Sequence, residues 1–279
     1  MKVAFQGEPG SYSHIAVKHL FNGVEYVGHE TFDEVCKDLV ENRVDFAVLP
    51  IENSTHGSVY QNYDNISDYD LRIVGEVYVR INFHLIAHKG VKFSEITELY
   101  THPVGLNQIK SFQKENPQIK FFEYPDTAGS VAMIKKKGLK HAAAAASRLS
   151  ANIYEMNILK ENIHENPKNY TRFFVLTTIS NSDYENKKGD KRKTTIQFVL
   201  GEEPGSLYKS LRCFADRDIS LSKIESRPIL NTDWEYRFYI DVESGYENEK
   251  TQLAIKELQD YVRELKILGT YNKGEYIDS

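Results

Sequence analysis

The sequence predicts an α/β protein in two parts, a region of alternating strands and helices over residues 1–180 and a compact βαββαβ module over 194–279. Short apolar runs such as Phe46-Ala47-Val48-Leu49-Pro50-Ile51 alternate with stretches of helical apolar spacing, the rhythm of parallel strands covered by helices. A polar, charged tract without periodicity, residues 181–193, then reads as a linker. After it the order becomes strand, helix, two strands, helix, strand, as in a ferredoxin-like fold. A chain of 279 residues is long enough for about two domains with their own cores.

In the first part, residues 2–5 read as a short buried strand and 13–21 as a helix with Ile15, Ala16, His19 and Leu20 on one face. Residues 31–43 read as a second helix, with Thr31 as N-cap and Glu34 as its capping-box partner. Residues 46–51 form the next buried strand. Strands follow at 99–101 and 120–124, and helices at 105–114 and 127–137. Residues 142–146 are all alanine, the best helix former, yet the βαβ rhythm places a strand there, followed by a helix over 147–154. In the second part strands are expected at 194–200, 219–229, 234–242 and 267–271, and helices at 204–217 and 249–265.

Composition narrows the function. Hydrophobic content of 41% and charged content of 27% are ordinary for a soluble globular protein. A formal net charge of −5 argues against general nucleic-acid binding, which shows as a basic domain or stripe, and leaves room for local basic pockets. No apolar run approaches the ~18 residues of a membrane span, and the N-terminus is too soon broken for a secretory signal. Cys36, among Phe32, Val35, Leu39 and Val40, and Cys213 read as reduced structural residues, which fits a cytoplasmic protein. The nine histidines show no metal spacing, and His84 and His88 lie in an extended, alternating segment; no metal is expected.

The stretch Asn169-Tyr170-Thr171-Arg172-Phe173-Phe174-Val175-Leu176 runs from a polar turn into a strand. It sets a hydroxyl beside a guanidinium where a loop meets a rigid element, a place where sites are built. Arginine offers a planar fork for a carboxylate, and threonine a short, stiff donor. On this segment alone a plain surface pair is the favoured reading. Gly7-Glu8-Pro9-Gly10, between a strand and a helix, brings main-chain N–H groups to a helix N-terminus; it suits an anion or is simply a tight turn, and it lacks the Lys-Ser/Thr element of a P-loop. Pro50-Ile51-Glu52-Asn53-Ser54-Thr55 follows the carboxyl end of a buried strand, where open α/β sheets bind ligands. Glu52 and Asn53 are favoured as site residues, while Ser54 and Thr55 divide evenly between the site and a helix cap. Thr101-His102-Pro103 ends another strand before a helix carrying Gln108, and Asp126 reads as a cap with Thr127 facing the cleft.

Thr171-Arg172-Phe173 resembles the threonine-arginine-phenylalanine signature of prephenate dehydratases. Gly7-Glu8-Pro9-Gly10-Ser11-Tyr12-Ser13-His14 resembles the family's N-terminal glycine turn. Pro50-Ile51-Glu52-Asn53-Ser54 followed by Gly57-Ser58-Val59 resembles its second block, and Glu225-Ser226-Arg227-Pro228 the signature of its regulatory ACT domain. Each block is weak alone; their order along nearly the whole chain is specific. At Thr101 the family more usually has serine, so that hydroxyl gains a methyl. The resemblance also favours the strand at 142–146.

The resemblance implies a two-lobed catalytic region resembling type II periplasmic binding proteins, residues 1–180, with one lobe of 1–78 and 171–180 and the other of 79–170, followed by an ACT domain at 194–279. It implies decarboxylative dehydration of prephenate to phenylpyruvate, a step of phenylalanine biosynthesis that aromatisation drives without a cofactor. Thr171 is then the donor to the departing hydroxyl, Arg172 a carboxylate clamp, and Glu52 and Asn53 the remaining catalytic groups. Ser11, Ser54, Thr101, Gln108, Thr127 and Phe173 would contact substrate. Gly205, Ser206 and Leu207 with Glu225, Ser226, Arg227 and Pro228 would wall an allosteric phenylalanine pocket between subunits of a homodimer or homotetramer. No helical extension precedes Met1, so a fused chorismate mutase is not expected. Arogenate dehydratase and a non-catalytic amino-acid sensor are the alternatives; an ACT-containing transcription factor lacks a basic recognition helix.

Overall fold

The computed structural model describes residues 1–178, 189, 191–201, 203–229, 232 and 234–279. They form two compact units, Met1–Asn65 with Val77–Phe174 and Glu275–Ser279, and Ile66–Glu76 with Val175–Gly274. Of the expected linker, 181–188 and 190 lie outside the described residues.

In chain order the elements are β1 (Lys2–Gln6), α1 (Tyr12–Leu20), β2 (Glu25–His29), α2 (Phe32–Val40), β3 (Phe46–Asn53), β4 (Gly57–Ser58), α3 (Tyr60–Asp68) and β5 (Arg72–Arg80). There follow β6 (His84–Ala87), β7 (Glu98–Thr101), α4 (Pro103–Gln108), α5 (Lys110–Glu115), β8 (Lys120–Glu123), α6 (Thr127–Lys137), β9 (Ala142–Ala146), α7 (Arg148–Ile153), β10 (Asn157–Lys160) and β11 (Tyr170–Thr177). The rest is β12 (Arg192–Leu200), α8 (Ser206–Ala215), β13 (Leu221–Pro228), β14 (Tyr236–Val242), α9 (Glu249–Leu258), β15 (Val262–Asn272) and β16 (Tyr276–Ile277).

One sheet runs β16-β5-β11-β3-β1-β2, with β4 on the end of β3. Its core strand β1 lies parallel to both β2 and β3. A second sheet runs β10-β6-β9-β7-β8; β7 is parallel to β8 and β9, while β6 is antiparallel to β9 and β10. These sheets are the bases of two α/β lobes. A third sheet, β13-β14-β12-β15, is antiparallel throughout and carries α8 and α9, the ferredoxin-like order.

The alanine run is a strand because of what surrounds it. Ala143 and Ala145 enter the core cluster on one face of β9, and Ala142, Ala144 and Ala146 the cluster on the other. A central strand covered on both sides takes small side chains, and pairing with β6 and β7 overrides the helical preference. The capping box at Thr31 and Glu34 forms as expected, but α2 ends at Val40, three residues short of the expected Arg43.

Other expectations are corrected. The helix expected over 105–114 is two short helices, α4 and α5, broken at Ile109 with φ −118° and ψ 25°. Helix α9 stops at Leu258; a turn through Gln259, Asp260 and Tyr261 follows, and Val262 already pairs with Leu200. Sequence pattern could not separate this strand from the helix, because its apolar residues Val262, Leu265 and Ile267 face the same core cluster. Arg192 and Lys193, expected in the linker, begin β12. The last five residues belong with the first unit, where β16 pairs with Tyr78 and Val79 of β5.

The two lobes meet at Gly10. Its carbonyl accepts from Ser147 Oγ at 2.6 Å and Ser150 Oγ at 3.2 Å. Its φ is +98°, and a Cβ there would lie 2.7 Å from Ser150 Cα. Gly10→Ala is therefore expected to lower the thermal midpoint, at a cost of roughly 1–3 kcal/mol for the backbone conformation before any clash. An unchanged midpoint would contradict this close approach.

Candidate functional site

Strand β3 ends in Asn53, and the turn after it doubles back onto the start of β11. Ser54 N donates to Tyr170 O at 2.9 Å, and Tyr170 N donates to Ser54 Oγ at 3.0 Å. Thr55 N and His56 N both donate to Asn53 Oδ1, at 3.0 and 3.1 Å. Because main-chain N–H groups only donate, that atom is the amide oxygen and the other is the nitrogen. Asn53 Nδ2 then donates to Asn169 Oδ1 and to Thr171 Oγ1, each at 2.9 Å. Thr171 Oγ1 is thus an acceptor toward Asn53, and its own proton is turned elsewhere. Asn169 Nδ2 donates to Gln108 Oε1 at 2.6 Å. Beside this group lies a cavity of about 340 Å³ whose lining includes Thr55, His56, Gln108, Lys110, His164 and Asn169.

Arg172 does not stand where a clamp beside Thr171 was expected. Adjacent strand residues face opposite sides of a sheet. Its guanidinium is buried, 4.6 Å from the Phe174 ring and 5.8 Å from the Tyr78 ring. Its Nη1 is 4.0 Å from Glu52 Oε2. Glu52 and Asn53 part in the same way: Glu52 goes with Arg172 and Asn53 with Thr171.

The family profile of prephenate dehydratase matches residues 3–181. The chain belongs to the prephenate dehydratase family. It is 36% identical over 280 residues to arogenate dehydratase/prephenate dehydratase 2 of Arabidopsis thaliana, covering 97% of this chain and 72% of that protein. It is similar to the solved prephenate dehydratase of Arthrobacter aurescens in complex with L-Phe, at TM-score 0.88 and 28% identity over 98% of this chain and 90% of that one. It is also similar to GqqA, described as a novel type of quorum quenching acylase, at TM-score 0.89 and 28% identity over 98% of both chains.

The other expected positions of a prephenate dehydratase are spread. Thr101 is fully buried and donates to Ala145 O at 2.7 Å, so its hydroxyl proton ties β7 to β9. Phe173 is 1% exposed and packs in the interior. Ser11 caps α1, accepting from His14 N at 3.3 Å. Thr127 opens α6 behind the cap Asp126, which accepts from Gly129 N; burial raises the Asp126 carboxyl to about 6. Ser54 and Thr55 cap no helix, since β4 intervenes before α3. In the second unit, Gly205, with φ +77°, Ser206 and Leu207 start α8, while Glu225, Ser226, Arg227 and Pro228 lie on the edge strand β13. A cavity of about 820 Å³ there is lined by Ser206, Trp234, Phe238 and Arg263 among others, and by none of residues 225–228.

Asn169 and His56 were missed. Asn169 was findable: it stands two before Thr171, the spacing that puts residues of one strand on one side. No local pattern announces His56, which the turn after Asn53 carries to Gln108 Nε2, 3.3 Å away.

His14 supports the glycine turn: its Nδ1 accepts from Gly10 N at 3.0 Å, and its ring stacks on Phe5. Burial first, then Lys18, lowers its pKa from 6.5 to about 4. Between those values the unfolded chain binds a proton that the folded chain does not, so stability falls as pH falls through that window. The thermal midpoint of the wild type is expected to drop more steeply from pH 6.5 to about 4 than that of His14→Gln. Parallel profiles would contradict a neutral, buried His14.

Proposed function

We propose that this chain is a prephenate dehydratase that converts prephenate to phenylpyruvate with loss of CO2 and water. One observation carries the reading: the Asn53 amide donates to Thr171 Oγ1, which leaves the Thr171 proton for an acceptor in the site. As the ring hydroxyl of prephenate departs with its bonding electrons, the Thr171 hydroxyl stabilises the oxygen by hydrogen bonding, and the hydroxide takes up a proton from solvent to leave as water. The carboxylate bond to the ring supplies the electrons that complete the aromatic system and releases CO2. Threonine is too weak an acid to give up its proton unaided near neutral pH, so it acts as an oriented donor. Gln108 and Lys110, beside the cavity, suit the substrate carboxylates. Arg172 holds Glu52 from the far side of β11.

In this reading residues 1–180 are the catalytic domain, with lobes of 1–78 plus 171–180 and of 79–170, and the module from Arg192 to Gly274 is an ACT domain. L-phenylalanine binds between the segments 205–207 and 225–228 of adjacent subunits in a homodimer or homotetramer and lowers activity by favouring the slower state. The L-Phe complex of the Arthrobacter aurescens relative supports this part. The enzyme works in the cytoplasm. Arogenate is the second candidate substrate, favoured by the Arabidopsis thaliana relative named for both activities. An acylase would need a nucleophile activated by a base, and the bond that Thr171 Oγ1 accepts from the Asn53 amide supplies no such base.

Purified chain is expected to form phenylpyruvate from prephenate, with suppression by L-phenylalanine. Thr171→Ala should lose roughly 10²–10³ in turnover. Near-normal turnover in that variant would remove Thr171 from the mechanism, and rates indifferent to phenylalanine would sink the feedback claim.

A further inference from the structure

The amides at the site form a directed chain. Two main-chain N–H groups fix Asn53 with its oxygen toward them and its nitrogen toward Asn169 and Thr171. Asn169, only 2% exposed, must then present Oδ1 to Asn53 and Nδ2 to Gln108. Gln108 meets that nitrogen with Oε1, so its own NH2 is the end left for the cavity, near His56 Nδ1. Each orientation forces the next, because a primary amide carries donors at one end and acceptors at the other. Turning Asn169 over would oppose nitrogen to nitrogen on the Asn53 side and oxygen to oxygen on the Gln108 side, at a residue only 2% exposed.

We propose that Asn169 is a positioning residue that passes the polarity fixed at Asn53 on to Gln108, so that Gln108 offers its NH2 to an acceptor group of the substrate, a carboxylate. The proposal rests on the dehydratase reading of this site. Asn169 acts through Gln108 and not on the reacting atoms.

The test is Asn169→Asp, which keeps the shape. An ionised aspartate has no donor for Gln108 Oε1. Gln108 then turns its NH2 inward to the carboxylate and shows an oxygen to the substrate. A protonated aspartate donates again and restores the wild-type arrangement. His56, Lys110, His164 and Glu165 line the same cavity, so each rate is taken relative to wild type at the same pH. The expected result is a kcat/KM for prephenate at least about tenfold below wild type near pH 8, carried by KM, as for a lost hydrogen bond to a charged group. The deficit should shrink as pH falls toward about 5.5 and the buried carboxyl takes up its proton. A pH-independent deficit, or wild-type kinetics, overturns the proposal.

Gln108→Glu keeps an acceptor toward Asn169 and replaces the outward NH2 with a carboxylate oxygen, which offers no donor to the substrate and, when ionised, repels its carboxylate. It should reproduce the raised KM, and an unchanged KM overturns the proposal even where Asn169→Asp folds poorly. The side-chain NH2 signals of Asn53 and Asn169 give a readout apart from activity. In the substrate-free protein they should exchange slowly with solvent; rapid exchange overturns the amide chain. Absence of wild-type turnover on prephenate together with slow exchange sinks the dehydratase reading and leaves the amide chain standing.

Discussion

The side chain of Asn53 is the constraint on which the site depends. It closes the turn after β3 by accepting from two main-chain N–H groups, and it ties that turn to β11 by donating to Asn169 and Thr171. One residue thereby sets the geometry of a loop, the spacing of two strand ends and the direction of a hydroxyl. Each bond alone contributes about 1 kcal/mol to stability, but because a fixed amide forces its partners, the orientation is shared by the whole group.

Arg172 and Glu52 illustrate how a strand divides labour. They alternate with Thr171 and Asn53, so the same two strand ends present a charged pair on one side and a neutral, hydrogen-bonded group on the other. The Arg172 guanidinium of that pair lies over the Phe174 and Tyr78 rings. The neutral side presents amide and hydroxyl donors of the kind that bind carboxylates, beside a cavity that Lys110 and Glu165 also line.

Much of this was legible in the sequence, and the failures have definite causes. The βαβ rhythm, the capping box at Thr31 and the strand at Ala142–Ala146 could be read because burial pattern and local signals agree. The end of α9 could not, because β15 takes its conformation from pairing with β12 over residues that helices also accept. Thr171 and Asn53 lie in two of the short blocks and Gln108 in none of them; the structure bonds Thr171 to Asn53 and links Asn53 to Gln108 through Asn169. The placement of Arg172 followed from strand alternation, which a motif read as adjacent letters conceals. His56 and the spent hydroxyl of Thr101 depend on contacts between segments far apart in the chain.

The central claim is that Asn53 and Thr171 act as one unit. A double-mutant cycle on prephenate turnover, with Asn53→Ala, Thr171→Ala and both together, measures it directly. The double variant is expected to be no slower than the slower single variant, since either change already releases the oriented hydroxyl. Penalties that multiply in the double variant would show two independent residues and contradict the account.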